Sequence, residues 1–329
     1  MLDTSDAGKR RKGGYDSFYG KSWLLFHYLT FTKERRGQLD RYFQRMREGR
    51  SSIEAGTEAF GDLQKLEQEL DGYKRRPAIL SLKLPADRLE TGDVTVRRLR
   101  TGEAAAMPVQ IRSRRGVDGK LAAAILPEAR ALAAKYPEDP AVLAVLAEAE
   151  HDAGNDAEAI AAADAAIARD PALVTAYIQK GKAMFRQAAK APDPAAAFAA
   201  ARQPFLQLNR LENDHPLPLI YFYLSFQLQE KPPSENALTG LRRAAQLAPF
   251  DEQLRLMLAA EQVRRHQAAE ARVNLQAVAY SPHGGKLASA AQRVLDRMTS
   301  QPEWDGQDVA AVLEGEGGGV DDAEPSATK

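Results

Sequence analysis

Residues 140–171 read PAVLAVLAEAEHDAGNDAEAIAAADAAIARDP. Leu143, Leu146, Ala147 and Glu150 recur at i, i+3, i+4 and i+7, the spacing of one helix face. After the turn Ala153-Gly154-Asn155-Asp156, a second helical stripe follows with Ala159, Ile160, Ala163, Ala166 and Ile167, and Pro171 stops it. Small residues at Ala147, Ala159 and Ala166 let two antiparallel helices approach closely. The stretch therefore predicts a helical hairpin with an alanine-lined seam.

A unit of this kind resembles the tetratricopeptide repeat, a helical hairpin of about 34 residues with small residues and a closing proline at set positions. Leu143 takes the place of that pattern's Trp and Leu146-Ala147 that of its Leu-Gly, while Ala159, Ala166 and Pro171 match directly. Glu150 departs from it, standing where the pattern has Tyr. Further units fall in register. The next begins near Val174 with Tyr177, Gly181 and Ala183, has a longer loop over 188–197, and carries Pro204 in its second helix, which implies a kink or a late start there. Another covers Pro218–Pro249 with Tyr221, Leu224, Ala237, Leu241 and Ala244, and a fourth runs from Glu252 to about Pro282. Leu121–Tyr136 reads as the second helix of a degenerate repeat and Lys286–Met298 as a cap, so 120–299 is expected to be one repeat array.

The first 120 residues are organised differently. Residues 1–14 look like a disordered lead-in, and Tyr15–Leu29 is an aromatic-rich helix holding Tyr19, Trp23 and Phe26. Arg35–Met46, Ser52–Phe60 and Gly61–Tyr73 follow with helical stripes. In this order, SWLLFHYL, a basic helix, a REG turn and an EAF-G segment resemble the last part of a gluzincin-type, peptidase MA-like zinc peptidase domain over about residues 15–73. The resemblance implies a helical remnant and no catalytic residue. His27, His151, His215, His266 and His283 include no pair at i, i+4, and there is no cysteine, so no catalytic or metal-binding set and no cofactor is expected. Within 74–116 the period changes to two: Leu80, Leu82 and Leu84, then Val94 and Val96, then Val109 and Ile111. That predicts short strands or an extended connector, and an overall class of mainly helical repeats preceded by a small α+β segment.

Charge is balanced at 45 basic and 45 acidic residues, but residues 1–120 carry 25 basic against 17 acidic, and 301–329 carry one against eight. The Arg-rich stretch 83–115 contains no aromatic residue to stack on bases, which argues against nucleic-acid binding. No apolar run is long enough to span a membrane, and no secretory signal follows Met1, so the chain as written is expected in the cytoplasm. Residues 300–329 are expected to be a disordered acidic tail, apart from one docking turn offered by Trp304, Val309 and Leu313.

The resemblance to tetratricopeptide repeats implies a non-catalytic module that takes a protein or peptide in the groove lined by first helices. By register with that family, Gln179, Lys182, Phe185 and Arg186 face the groove from one unit and Phe222, Tyr223 and Phe226 from the next. A basic edge beside aromatic side chains suits a peptide with a carboxylate and an apolar anchor. The aromatics fit equally well as core between hairpins. The competing reading is the C-terminal fragment of a zinc metallopeptidase whose H-E-x-x-H helix is encoded upstream, in which case the protein would be exported to the periplasm.

Overall fold

The computed structural model describes residues 18–48, 50–89, 92–281 and 285–314. The expectations for the lead-in 1–14, for Tyr15, for His283 and for the tail from 315 onward lie outside them. The described residues hold sixteen α-helices and no strand. They divide into two compact units, one containing the residues up to Asp93 together with Glu252 onward, the other Val94–Asp251.

In the first unit, α1 (Phe18–Phe31), α2 (Gln38–Arg47), α3 (Ser52–Phe60) and α4 (Leu63–Lys74) form a small cluster. Its core is Leu25, Tyr28, Leu29, Ala59, Phe60, Leu66, Leu70 and Tyr73. Ser51 and Glu54 close a capping box on α3, and Asp62 accepts the Gln64 and Lys65 amides at the start of α4. Arg35 joins the helices by donating to the Phe60 carbonyl at 2.8 Å and to the Glu69 carboxylate. The outer face of α1 stays open, with Tyr19, Trp23 and Phe26 all more than half exposed.

The expected α+β segment is corrected. Residues 78–85 and 92–100 are irregular, and Val109 and Ile111 belong to a helix, α5 (Thr101–Arg114). Alternation over 109–111 is too short to identify a strand. The buried positions of this stretch are Gly102, Ala106, Val109 and Ser113, which recur at helical spacing, while Ile111 is 53% exposed. Alternating Leu80–Leu84 and Val94–Val96 find no neighbouring strand among the described residues to supply ladder hydrogen bonds, and isolated strands do not persist.

In the second unit α5 packs on α6 (Gly119–Lys135), α7 (Pro140–Asp152) on α8 (Asp156–Arg169), α9 (Val174–Ala188) on α10 (Pro194–Leu211), and α11 (Pro216–Gln227) on α12 (Glu235–Leu247). The first helices α5, α7 and α9 also touch in sequence. Thus α5 completes the hairpin whose second helix alone was legible as degenerate. Its start is fixed by charge: Arg97 grips Glu103 at 2.5 and 2.8 Å and, with the Arg100 amide, holds that carboxyl down at about 2. Asp139 caps α7 through the Ala141 amide and also takes Arg100 at 3.0 and 3.2 Å. Gly102 makes this possible, since a Cβ there would lie 2.8 Å from the Asp139 Oδ2. The expected seam is present, with Ala147, Ala159, Ala163 and Ala166 buried. One finer expectation fails: the loop over 188–197 shrinks to 189–193 because Asp193 caps a helix that starts at Pro194. Of the two readings of Pro204 the late start is excluded, since that helix passes through it.

The remaining helices, α13 (Glu252–Arg264), α14 (Ala268–Ala279), α15 (Gly285–Ser300) and α16 (Val309–Glu314), return to the first unit. α13 pairs with α14 and α14 with α15. Val309 is fully buried in their core with Trp304 and Leu313 packed beside it, so the docking turn is a short helix. Among the described residues no helix is long and apolar enough to cross a membrane.

Candidate functional site

The seven groove positions sit on two helices of the second unit. Gln179, Lys182, Phe185 and Arg186 are on α9; Phe222, Tyr223 and Phe226 are on α11. They do not form one open surface. Phe185 is 3% exposed and is enclosed by Phe198 at 5.3 Å, Phe205 at 5.6 Å and Tyr221 at 4.8 Å between ring centroids. Tyr223 is 1% exposed, and its hydroxyl accepts from the Gln227 side chain at 2.7 Å. Both are therefore core residues rather than groove residues. The cause is distant in sequence: rings from α10 and α11 cover Phe185, and α9's own periodicity cannot reveal that.

Arg186 is committed to its own chain. It donates to Asp156 at 2.5 to 2.9 Å and to the His151 carbonyl at 2.6 Å, tying α9 to the turn that opens α8. Gln179 is buried, and its Oε1 has no hydrogen-bond partner among the described residues. Lys182, Phe222 and Phe226 remain partly exposed. The two rings lie edge to face at 5.5 Å, one helical turn apart on α11. α11 is capped by His215, whose Nδ1 accepts the Leu217 amide at 3.3 Å; burial pushes this imidazole's pKa down.

Side chains that the sequence left unexplained form an ionic seam between neighbouring helices. Glu150 is 4% exposed, and its carboxylate accepts two bonds from Arg130 of α6 at 2.7 and 2.9 Å and one from the Asn155 side chain at 2.8 Å. Arg114 approaches Glu148 at 3.6 Å, and Ser113 donates to Asp152 at 2.6 Å. The Glu150 carboxylate is held by Arg130 standing opposite it, and no local pattern could show that pairing. These contacts are structural, and no cluster of three His, Asp or Glu side chains among the described residues is arranged to hold a metal ion. In the first unit a cavity of about 270 Å³ is lined by Phe31, Tyr73, Arg76 and 78–80, another place the sequence did not indicate.

No protein-family model matches this chain, and no curated protein matches it. Among solved structures it is similar to a thermophilic TPR protein of Thermus thermophilus, at 18% identity and a TM-score of 0.47, over 58% of this chain and 96% of that one. So loose a likeness adds nothing to the helix pairing seen directly in the second unit.

Proposed function

We infer that the second unit is a protein-interaction module of the tetratricopeptide type, which takes a peptide segment on the surface that Lys182, Phe222 and Phe226 leave open. One observation carries this reading. Phe222 and Phe226 are paired and partly exposed on α11, although the same helix buries Tyr221 and Tyr223 almost completely. Partly buried aromatic pairs supply much of the anchoring energy at interfaces, and Lys182 on α9 offers a partly exposed cation in the same unit. Gln179, Phe185, Arg186 and Tyr223 act behind this surface: Phe185 and Tyr223 fill the core, Arg186 locks the α8 turn, and Gln179 is enclosed.

The test is selection of random displayed peptides on the full chain, followed by affinity measurement against variants. Phe222→Ala with Phe226→Ala is expected to weaken selected peptides by about 2 kcal/mol or more, roughly thirtyfold. Lys182→Ala should weaken those bearing a carboxylate more modestly. If selected peptides bind the double variant as tightly as the parent, recognition lies on another surface and the reading fails.

A further inference from the structure

Residues 77–84, PAILSLKL, lead from the end of α4 to Pro85, and from Ala78 onward they contain no helix, turn or bend. Their apolar side chains are bare: Ile79 is 44% exposed, Leu80 63%, Leu82 75% and Leu84 56%. Single exposed leucines are ordinary, whereas four large aliphatic residues within six are not. In an extended chain Leu80, Leu82 and Leu84 share one face, with Ser81 and Lys83 on the other.

The main chain is equally open. Ala78–Leu84 forms no main-chain hydrogen bond with other main-chain groups among the described residues. One carbonyl is anchored: Leu80 O lies 2.8 Å from His27 Nε2, while Tyr73 Oη holds Nδ1 at 2.9 Å. A carbonyl only accepts, so Nε2 donates to it. Successive residues of an extended chain turn their N–H and C=O groups to opposite sides. Holding Leu80 inward therefore turns the groups of Ile79, Ser81 and Lys83 outward, as an edge strand that lacks a neighbour. No strand among the described residues can fill that place.

We propose that Ile79–Leu84 is a docking strand, which pairs edge to edge with a β-strand of a different polypeptide that alternates aliphatic residues with Asp or Glu. Charge selects the acidic partner. Lys74, Arg75, Arg76 and Lys83 place four cations between Gly72 and Ala86 with no acidic residue among them. Pairing in parallel with a second copy of the same segment would set Lys83 against Lys83, and like charges across a strand pair destabilise it. Pro77 and Pro85 bound the strand and confine the ladder to the six or so residues between.

The experiment uses the full chain and a labelled peptide, acetyl-TVEVEVT-amide, with a control in which both glutamates are lysines. Fluorescence anisotropy should show the acidic peptide binding about tenfold or more tightly than the control at low salt. Hydrogen exchange should show the outward amides of Ile79, Ser81 and Lys83 newly protected in that complex. Ser81→Pro removes an outward ladder donor at an exposed site, so it should leave the melt unchanged and abolish both effects, and Lys83→Glu should reverse the charge preference. The proposal is overturned if the Ile79, Ser81 and Lys83 amides gain no protection, or if Ser81→Pro binds as well as the parent. A concentration-dependent dimer that protects 79–84 without peptide would overturn it too, since the neighbour would then be a second copy.

Discussion

Gly181 lies inside α9, where a glycine ordinarily costs about 1 kcal/mol relative to alanine. Here the balance reverses. A Cβ at this position would meet Phe205 ring carbons at 2.5 and 2.6 Å. That ring cannot give way, because it is 2% exposed and stacked on Tyr221 at 4.3 Å. Overpacking a rigid core costs about 1–3 kcal/mol, so the clash outweighs the propensity gain. Gly181→Ala should therefore lower the unfolding free energy by up to about 2 kcal/mol in a urea titration, and any stabilisation would contradict the packing. The sequence did place Gly181 in register on the first helix of its unit. It did not mark Phe205 as the ring that approaches, because the two lie on different helices. Phe185 was misplaced for the same reason. Its register on α9 is read correctly, but rings from α10 and α11 bury it.

At the scale of the element, His215 links helix capping to pH. Its neutral Nδ1 accepts the Leu217 amide, and a protonated imidazole has no lone pair there to offer. Burial lowers its folded-state pKa, against the opposing pull of Glu212 and Asp214. The unfolded chain then binds the proton more tightly, so the contribution of His215 is complete above its unfolded pKa of about 6.5 and is lost as pH falls through the lower folded value. His215→Asn keeps a capping oxygen without the titration. The variant should lose less stability than the parent between about pH 7 and pH 5, measured by thermal melts across that range. Equal slopes would show that the cap is not the titrating element. Helices with strong stripes, α7 and α8 above all, were legible from alanine and leucine spacing alone. α5 was not, because Pro108 and three arginines from Arg112 to Arg115 obscure a stripe of Gly102, Ala106, Val109 and Ser113. What makes it a helix is partly non-local: Asp139, from the turn before α7, receives Arg100 and the Glu103 amide.

For the whole molecule, α5 begins the array of hairpins in the second unit, so the array starts near Thr101 rather than near Lys120. Val109 is fully buried against a core that includes Ile125, Leu126 and Val142. Cutting at 120 would bare that core and leave Asp139 without Arg100. Repeat arrays owe their stability to nearest-neighbour interfaces, so loss of the first helix should be felt by the hairpin beside it. The most direct measurement is urea unfolding, followed by circular dichroism, of isolated 94–251 beside isolated 120–251. The account expects 94–251 to be helical and to unfold in one cooperative transition, with 120–251 less stable by about 2–4 kcal/mol, the scale of baring a few large core side chains. A non-cooperative 94–251, or a 120–251 of equal stability, would contradict it.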